Sequence, residues 1–205
     1  MRESGDVLKI SARTSLVAVA VALVLVSAVL TWRHVTRDDI DGWQIGGPVR
    51  MPPAHGYVVR YDVGDVFTDG MERILLTGDQ PGVLRRVEIT GPGVDHFQVV
   101  GILLAGPHRK IGSYQVIEGF PPAVKGLATL APAEGADLAT GKTGSVLQIG
   151  LKVVKPGLAI RTGVRLYYTV GDEKYTIEYQ AAIANCPRGM STGRCQRAYR
   201  ALQSA

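Results

Sequence analysis

Residues 163–183 read GVRLYYTVGDEKYTIEYQAAI, and this stretch decides the fold. Apolar and polar residues alternate from Val164 to Val170 and again from Tyr175 to Ile183. Successive side chains of a strand point to opposite faces, so strict alternation is typical of a strand with one buried face. Gly171-Asp172 supplies the residue types that a tight hairpin turn favours. The stretch therefore predicts an antiparallel hairpin with Tyr167 on its outward face.

The same period-two alternation, or a short apolar run of strand length, recurs along the chain between turns rich in Gly and Pro. The segments with this pattern are 57–63, 83–89, 97–104, 113–117 and 147–153, and one short strand near 127–130 interrupts an irregular stretch. About seven to nine short strands at regular spacing, with no amphipathic helix among them, favour an antiparallel sandwich. The expected fold is mainly β, an immunoglobulin-like antiparallel β-sandwich, with a small β-barrel as the alternative.

The segment GVRLYY at residues 163–168 is followed by a Gly-Asp turn, by Tyr175 and by a late Cys186. This order resembles the last hairpin of uncharacterised actinobacterial single-pass membrane proteins with a small β-sandwich ectodomain. The resemblance covers about a fifth of the predicted domain and rests mostly on alternation. It implies a fold and a location, and it implies no catalytic residue because that family has no assigned activity. The bias toward Arg over Lys, with Asn185 as the single asparagine, also indicates a GC-rich bacterial genome.

Upstream of the strands, residues 14–32 form the charge-free run TSLVAVAVALVLVSAVLTW, bounded by Arg13 and Arg33. As a helix this run spans about 28 Å, close to the hydrocarbon thickness of a bilayer. A cleaved signal peptide is the other interpretation, because Val26-Ser27-Ala28 has the small-residue pattern of a cleavage site. The length of the run favours a retained transmembrane helix.

Basic residues flanking this run, together with the length of chain after it, place the N-terminus in the cytoplasm and the C-terminal domain outside it. The predicted organisation is a cytoplasmic N-terminus (1–13), a transmembrane helix (14–32), a juxtamembrane linker (33–55), a β-sandwich (56–185) and a basic, disulfide-looped tail (186–205). The expected location is the cell membrane, with a single pass.

Charge is concentrated in the tail. The formal net charge of the chain is +5, of which residues 186–205 carry +4, whereas residues 14–185 are neutral overall. Cys186 and Cys195 are the two cysteines, and outside the cytoplasm two cysteines so close in sequence are expected to form a disulfide. In a short helix, Arg194, Arg197 and Arg200 fall roughly on one side and predict contact with anionic groups. A solvated terminus whose charges only favour solubility is the other interpretation.

No motif in the sequence predicts catalysis, a cofactor or a metal. Gly141-Lys142-Thr143 approximates a phosphate-binding loop, but that loop precedes a helix, and the residues that follow here alternate as a strand. No two of the four histidines have metal-ligand spacing, and Asp95-His96 lies in a predicted loop. We therefore expect no nucleotide and no nucleic acid among the partners.

These features favour a non-catalytic membrane protein that presents an extracytoplasmic sandwich to another component of the envelope, with the lipid bilayer and a second envelope protein as partners. The alternative is an envelope enzyme or ligand carrier whose site is assembled from residues remote in sequence. A deep pocket lined by Asp95, His96 or His108 would favour that alternative.

Overall fold

The computed structural model describes residues 42–51, 55–106, 116–123, 130–141 and 144–203. In chain order its elements are β1 (Gln44–Ile45), β2 (Val49–Arg50), β3 (His55–Val59), β4 (Val66–Leu76), β5 (Gly82–Thr90), a 3-10 turn (Val94–His96), β6 (Phe97–Ala105), β7 (Val116–Glu118), β8 (Leu130–Pro132), β9 (Asp137–Leu138), β10 (Ser145–Val153), β11 (Ala159–Val170), β12 (Glu173–Asn185) and α1 (Thr192–Gln203).

The strands form two sheets rather than a closed barrel. The first sheet has the order β1-β12-β11-β5-β9, with β3 also paired to β12. The second has the order β2-β4-β10-β6-β8, with β7 also paired to β4. Most pairs are antiparallel, whereas β1 and β3 run parallel to β12. The prediction of a mainly β protein built as a sandwich is confirmed.

The core lies between the sheets and follows the alternation of the sequence. In β10, Leu147, Ile149 and Leu151 are fully buried at alternate positions. The opposite sheet contributes Leu166 and Tyr168 of β11, which are also fully buried. Side chains at every second position share one face of a strand, so these two sets close on each other from opposite sheets.

The hairpin predicted from residues 163–183 is present as β11 and β12. Its register pairs Val164 with Tyr179 and Leu166 with Ile177, as strict alternation around the Gly171-Asp172 turn requires. Tyr167 lies on the outward face of the hairpin, but only 4% of its surface is exposed to solvent. The N-terminal part of the compact unit covers it.

The compact unit begins at Trp43, so the segment expected to be a linker over 33–55 supplies two strands to the sandwich. Val49 of β2 is fully buried, and its N–H donates to the Tyr168 hydroxyl at 3.2 Å. That hydroxyl in turn donates to the carbonyl of Gly46 at 2.5 Å. Strands of two residues are too short to show an alternation of apolar and polar residues, which is why the sequence predicts a linker over this segment.

The bounds of three predicted strands also differ from those in the structure. The strand expected over 57–63 is β3, which ends at Val59, and Val63 lies in a turn with 54% of its surface exposed. Tyr61 prolongs the apparent alternation because it stacks on Phe67 from outside the strand, with ring centroids 4.5 Å apart. The segments expected over 113–117 and 127–130 lie partly outside the described residues, which place strands at β7 and β8.

The predicted transmembrane helix over 14–32 and the cytoplasmic segment over 1–13 lie outside the described residues. Within the part of the chain that the structure describes, no helix has both the length and the apolarity that a bilayer crossing needs.

Candidate functional site

The tail after β12 is held to the sandwich by its disulfide. Cys186 and Cys195 are bonded, with Cα atoms 6.0 Å apart, which confirms the predicted pairing. Both residues are fully buried. The N–H of Cys186 donates to the carbonyl of Val59 at 3.0 Å, so the disulfide begins where β3 and β12 end side by side. The start of the tail is therefore part of the fold.

Two polar side chains reinforce this attachment. Asn185 accepts from the N–H of Tyr61 at 2.8 Å and donates to its carbonyl at 3.0 Å, so its amide imitates one more step of strand pairing. Arg60 donates to the carbonyl of Met190 at 2.9 Å and to the hydroxyl of Thr192 at 2.9 Å. Together they fix the loop that leads into α1.

Helix α1 begins at Thr192, directly after Ser191. The hydroxyl of Ser191 accepts from the N–H of Arg194 at 3.4 Å, and its carbonyl accepts from the N–H of Cys195 at 3.1 Å. This is N-cap geometry, which satisfies donors that a helix leaves free in its first turn. On the inward side, a Cβ at Gly56 would overlap the Tyr199 hydroxyl, so the glycine makes room for that ring. Burial raises the pKa of Tyr199.

The three arginines of α1 form a surface that we call the arginine face: Arg194, Arg197 and Arg200, all exposed. Positions three apart advance by about 4.5 Å along a helix and drift by about 60°, so the face is a staggered row opposite the buried Cys195. Arg194 and Arg197 form no ion pair within the described ranges. No acidic residue occurs in residues 186–205. The nearby Arg188 is already neutralised by Asp62 at 3.2 Å and by Asp65 at 3.5 Å.

Trp43 contacts the sandwich near the end of β12 opposite to the disulfide. Trp43 packs edge-on against Tyr167, with ring centroids 5.3 Å apart, and the Lys174 ammonium lies 5.9 Å from the Trp43 ring centre. Both contacts lie near the first residues of β12, whereas the disulfide follows its last residue. At about 3.3 Å per residue, β12 separates the two ends by roughly 30 Å. Trp43 is therefore part of the folded sandwich rather than of a linker.

Charged side chains on the outer face of the first sheet bond one another. Arg165 donates to Glu178 at 2.7 Å, and Thr90 donates to the same carboxylate at 2.7 Å. The hydrogen bond from Thr90, followed by that from Arg165, lowers the pKa of Glu178. Glu88 is paired with Arg86 and accepts from the Tyr167 hydroxyl at 3.1 Å. These cross-strand pairs stabilise the sheet, and their opposite charges neutralise one another.

Asp95 and His96, the candidate acid–base pair, lie in the 3-10 turn. Asp95 is exposed and accepts from Lys155 at 2.6 Å, which lowers its pKa. His96 has a buried Nδ1 with no hydrogen-bond partner among the described residues and packs toward the Gly157 turn. His108, the third candidate lining residue, lies outside the described residues, as do Lys142 and Thr143. β10 begins at Ser145, so a strand rather than a helix follows the Gly-Lys-Thr sequence, as predicted.

The structure also shows a buried polar cluster that the sequence did not indicate. Arg161 of β11 and Asp69 of β4 meet between the sheets with Nη1 and Oδ2 2.6 Å apart, and both side chains are fully buried. Tyr57 donates to Asp69 at 2.6 Å, and the Arg161 Nε donates to the carbonyl of Ala181 at 3.0 Å. The two charges lie far apart in sequence, so no local pattern could pair them.

Within the described ranges, no group of three or more His, Cys, Asp or Glu residues is arranged to hold a metal ion. Neither a known protein-family model nor any curated protein matches this chain.

Proposed function

We propose that this chain is a non-catalytic, single-pass membrane protein that presents its sandwich outside the cytoplasm for contact with another component of the cell envelope. The observation that carries the proposal is the tail, in which a fully buried disulfide fixes an exposed, cationic helix to the end of the sandwich. Disulfides persist in oxidising compartments, which supports an extracytoplasmic location. The charge-free run over 14–32 supports the anchor.

The pairing of charged side chains with one another supports a role in binding a partner rather than in catalysis. Arg161 and Asp69 neutralise each other in the core, and Arg165 and Glu178 do so on the outer face of the first sheet. Catalytic groups are recognised by perturbed pKa values in a cleft with a nearby reactive partner. The perturbed carboxylates here, Asp95 and Glu178, owe their lowered pKa values to structural hydrogen bonds. Arg194 and Arg197 are exposed and form no ion pair within the described ranges, so they are the cationic groups of the tail available to a partner.

We also infer that the sandwich is of the immunoglobulin-like kind. The order β2-β4-β10-β6 corresponds to the strands A, B, E and D of that fold, and β5-β11-β12 corresponds to C, F and G. In antibody domains a disulfide joins B to F across the core. In this chain the Asp69–Arg161 ion pair joins the equivalent strands, β4 and β11. Sandwiches of this kind serve widely as contact modules, which fits the proposed role by analogy of fold alone.

The experiment is a pair of measurements on the full chain in its native membrane. Reporter fusions after Ala205 should be active only when the reporter works outside the cytoplasm. A photoactivatable amino acid introduced at position 197 should crosslink to a component of the envelope. The same amino acid introduced in place of Arg85, an exposed residue of β5, should not. Activity of a cytoplasm-specific reporter, or equal crosslinking from positions 197 and 85, would contradict the proposal.

A further inference from the structure

One side of the sandwich is covered at one end only. The short strand β9 pairs with residues 82–83 of β5, and β8 pairs with residues 103–105 of β6. Between these two short strands, Ala133 donates to a carbonyl of β6 at 3.0 Å and Ala136 accepts from an N–H of β5 at 2.9 Å. One continuous segment therefore covers the edges of both sheets at this end. Among the described residues, no strand lies beside the rest of β5, residues 85–90.

The burial of the inward side chains of β5 follows this covering. Leu84, next to the part paired with β9, is fully buried, whereas Val87 and Ile89 pack against the core and are partly exposed. Their neighbours in register on β11, Leu166 and Val164, are fully buried, so these rows of side chains do reach the core. A strand placed beside residues 85–90 would remove the exposed part of this apolar surface from water.

The same edge offers backbone hydrogen-bonding groups. At the covered end, the N–H of Leu84 donates to the carbonyl of Ala136, and its own carbonyl accepts from the N–H of Gly135 at 2.8 Å. Alternate residues of a strand in an antiparallel sheet turn their N–H and carbonyl groups to the same side. Residues farther along β5 therefore present such groups to an edge where another strand can add.

The outward side chains of this edge indicate which strand would add. Arg86 and Glu88 contact each other on the outer face and remain partly accessible, with 39% and 28% of their side chains exposed. If β5 pairs antiparallel with β5 of a second copy, centred on Val87, Arg86 of each copy lies opposite Glu88 of the other. A pairing centred on Glu88 would place two carboxylates opposite each other, which is unfavourable. In the register centred on Val87, the edge is complementary to itself.

We propose that two copies of this chain associate by antiparallel pairing of their β5 edges, with Val87 at the two-fold axis. A two-fold contact uses the same surface of both copies, so it requires the self-complementarity that Arg86 and Glu88 provide. The β5 edge is separate from the tail. The inference therefore goes beyond the proposed function and does not depend on it.

The test measures the mass of the full chain in a neutral detergent by sedimentation over a range of concentrations. The native chain should approach twice the mass of one copy as its concentration rises. R86E sets two glutamates opposite each other and E88R sets two arginines opposite each other, so each variant should dimerise roughly 10- to 100-fold more weakly. An equimolar mixture of R86E and E88R should recover the dimerisation of the native chain, because each substituted residue then faces the opposite charge.

The matched controls are R188E and D62R, which reverse the charges of an exposed ion pair elsewhere on the sandwich and should dimerise like the native chain. E88Q removes the charge and keeps an acceptor for the Tyr167 hydroxyl, so it should fold normally and dimerise several-fold more weakly. A native chain that stays monomeric up to about 0.1 mM would overturn the proposal. So would a mixture of R86E and E88R that associates no better than either variant alone.

Crosslinking in the native membrane separates this inference from the proposed function. A photoactivatable amino acid at position 85 lies beside the pairing and should crosslink only to a second copy, which gives a product of twice the mass of the chain. A crosslink from position 85 to a different protein would overturn the inference, because it would assign the β5 edge to another partner. Loss of the crosslink from position 197 would contradict the proposed function and leave the pairing of β5 unaffected.

Discussion

Removal of one partner from the buried ion pair should destabilise the sandwich far more than removal of both. In the D69L variant the Arg161 guanidinium keeps its charge in a fully buried position and loses its counterion. In the R161M variant the Asp69 carboxylate is left in the same situation. An uncompensated buried charge costs about 3–5 kcal/mol in each case. For a domain of this size, 1 kcal/mol shifts Tm by about 2–4 °C, so each single variant should melt roughly 6–20 °C lower.

The double variant D69L/R161M replaces the pair by apolar side chains of similar bulk. Replacement of a buried pair in this way is often neutral or stabilising, because the desolvation of both charges is no longer needed. The double variant loses the hydrogen bond from Tyr57 to Asp69 and that from Arg161 to Ala181, each worth about 1 kcal/mol. We therefore expect it to be more stable than either single variant.

The assay is urea unfolding of the full chain in a neutral detergent, followed by far-UV circular dichroism of the β signal. R165M is the matched control, because Arg165 is paired with Glu178 at the surface with 40% of its side chain exposed. Exposed pairs contribute about 0–1 kcal/mol, so R165M should change the unfolding free energy little. The reasoning fails if R161M costs no more than R165M, or if the double variant is as unstable as the sum of the singles.

Three further outcomes follow from the same structure. C186S/C195S should lower the unfolding free energy by about 2–3 kcal/mol and should increase tryptic cleavage within α1, and unchanged cleavage would show that the disulfide does not fix the helix. Q148M should raise Tm, since the Gln148 amide is fully buried, neither of its atoms is hydrogen-bonded to a described residue, and such burial costs about 1–3 kcal/mol. The exposed Q98M control should leave Tm unchanged. Burial raises the pKa of Tyr168, so the stability that its neutral form contributes is complete below the ordinary tyrosine pKa of about 10 and is lost as pH rises through the raised pKa. Y168F should weaken this alkaline loss of stability, and an unfolding free energy with the same pH profile in Y168F and the native chain would refute the prediction.

The sequence predicts those parts of the fold whose cause is local. The β11–β12 hairpin is readable because both arms alternate strictly and the Gly171-Asp172 turn separates them. Two-residue strands such as β1 and β2 have no period, and their place depends on contacts such as that of Val49 with Tyr168. The strand expected over 57–63 was extended too far because Tyr61 is apolar for a reason unrelated to strand pairing, its stacking on Phe67.

The tail was predicted in part for the same reason. The spacing of Cys186 and Cys195 and the recurrence of arginine at every third position are local, so the disulfide and one-sided row of charges could be anticipated. The attachment of the helix through Arg60 and Gly56 depends on residues from β3 and its flank, which no local pattern connects to the tail. The Asp69–Arg161 pair was missed because pairing between remote charges is decided by topology.

The most direct test of the account is the redox state of the two cysteines in the native membrane. Free thiols are blocked before extraction, and non-reduced peptides are then analysed by mass spectrometry. The account predicts that Cys186 and Cys195 are found in one linked peptide pair with almost no blocked thiol, because the disulfide that fixes the arginine face forms outside the cytoplasm. Two blocked, unlinked cysteines would contradict both the location and the ordered tail.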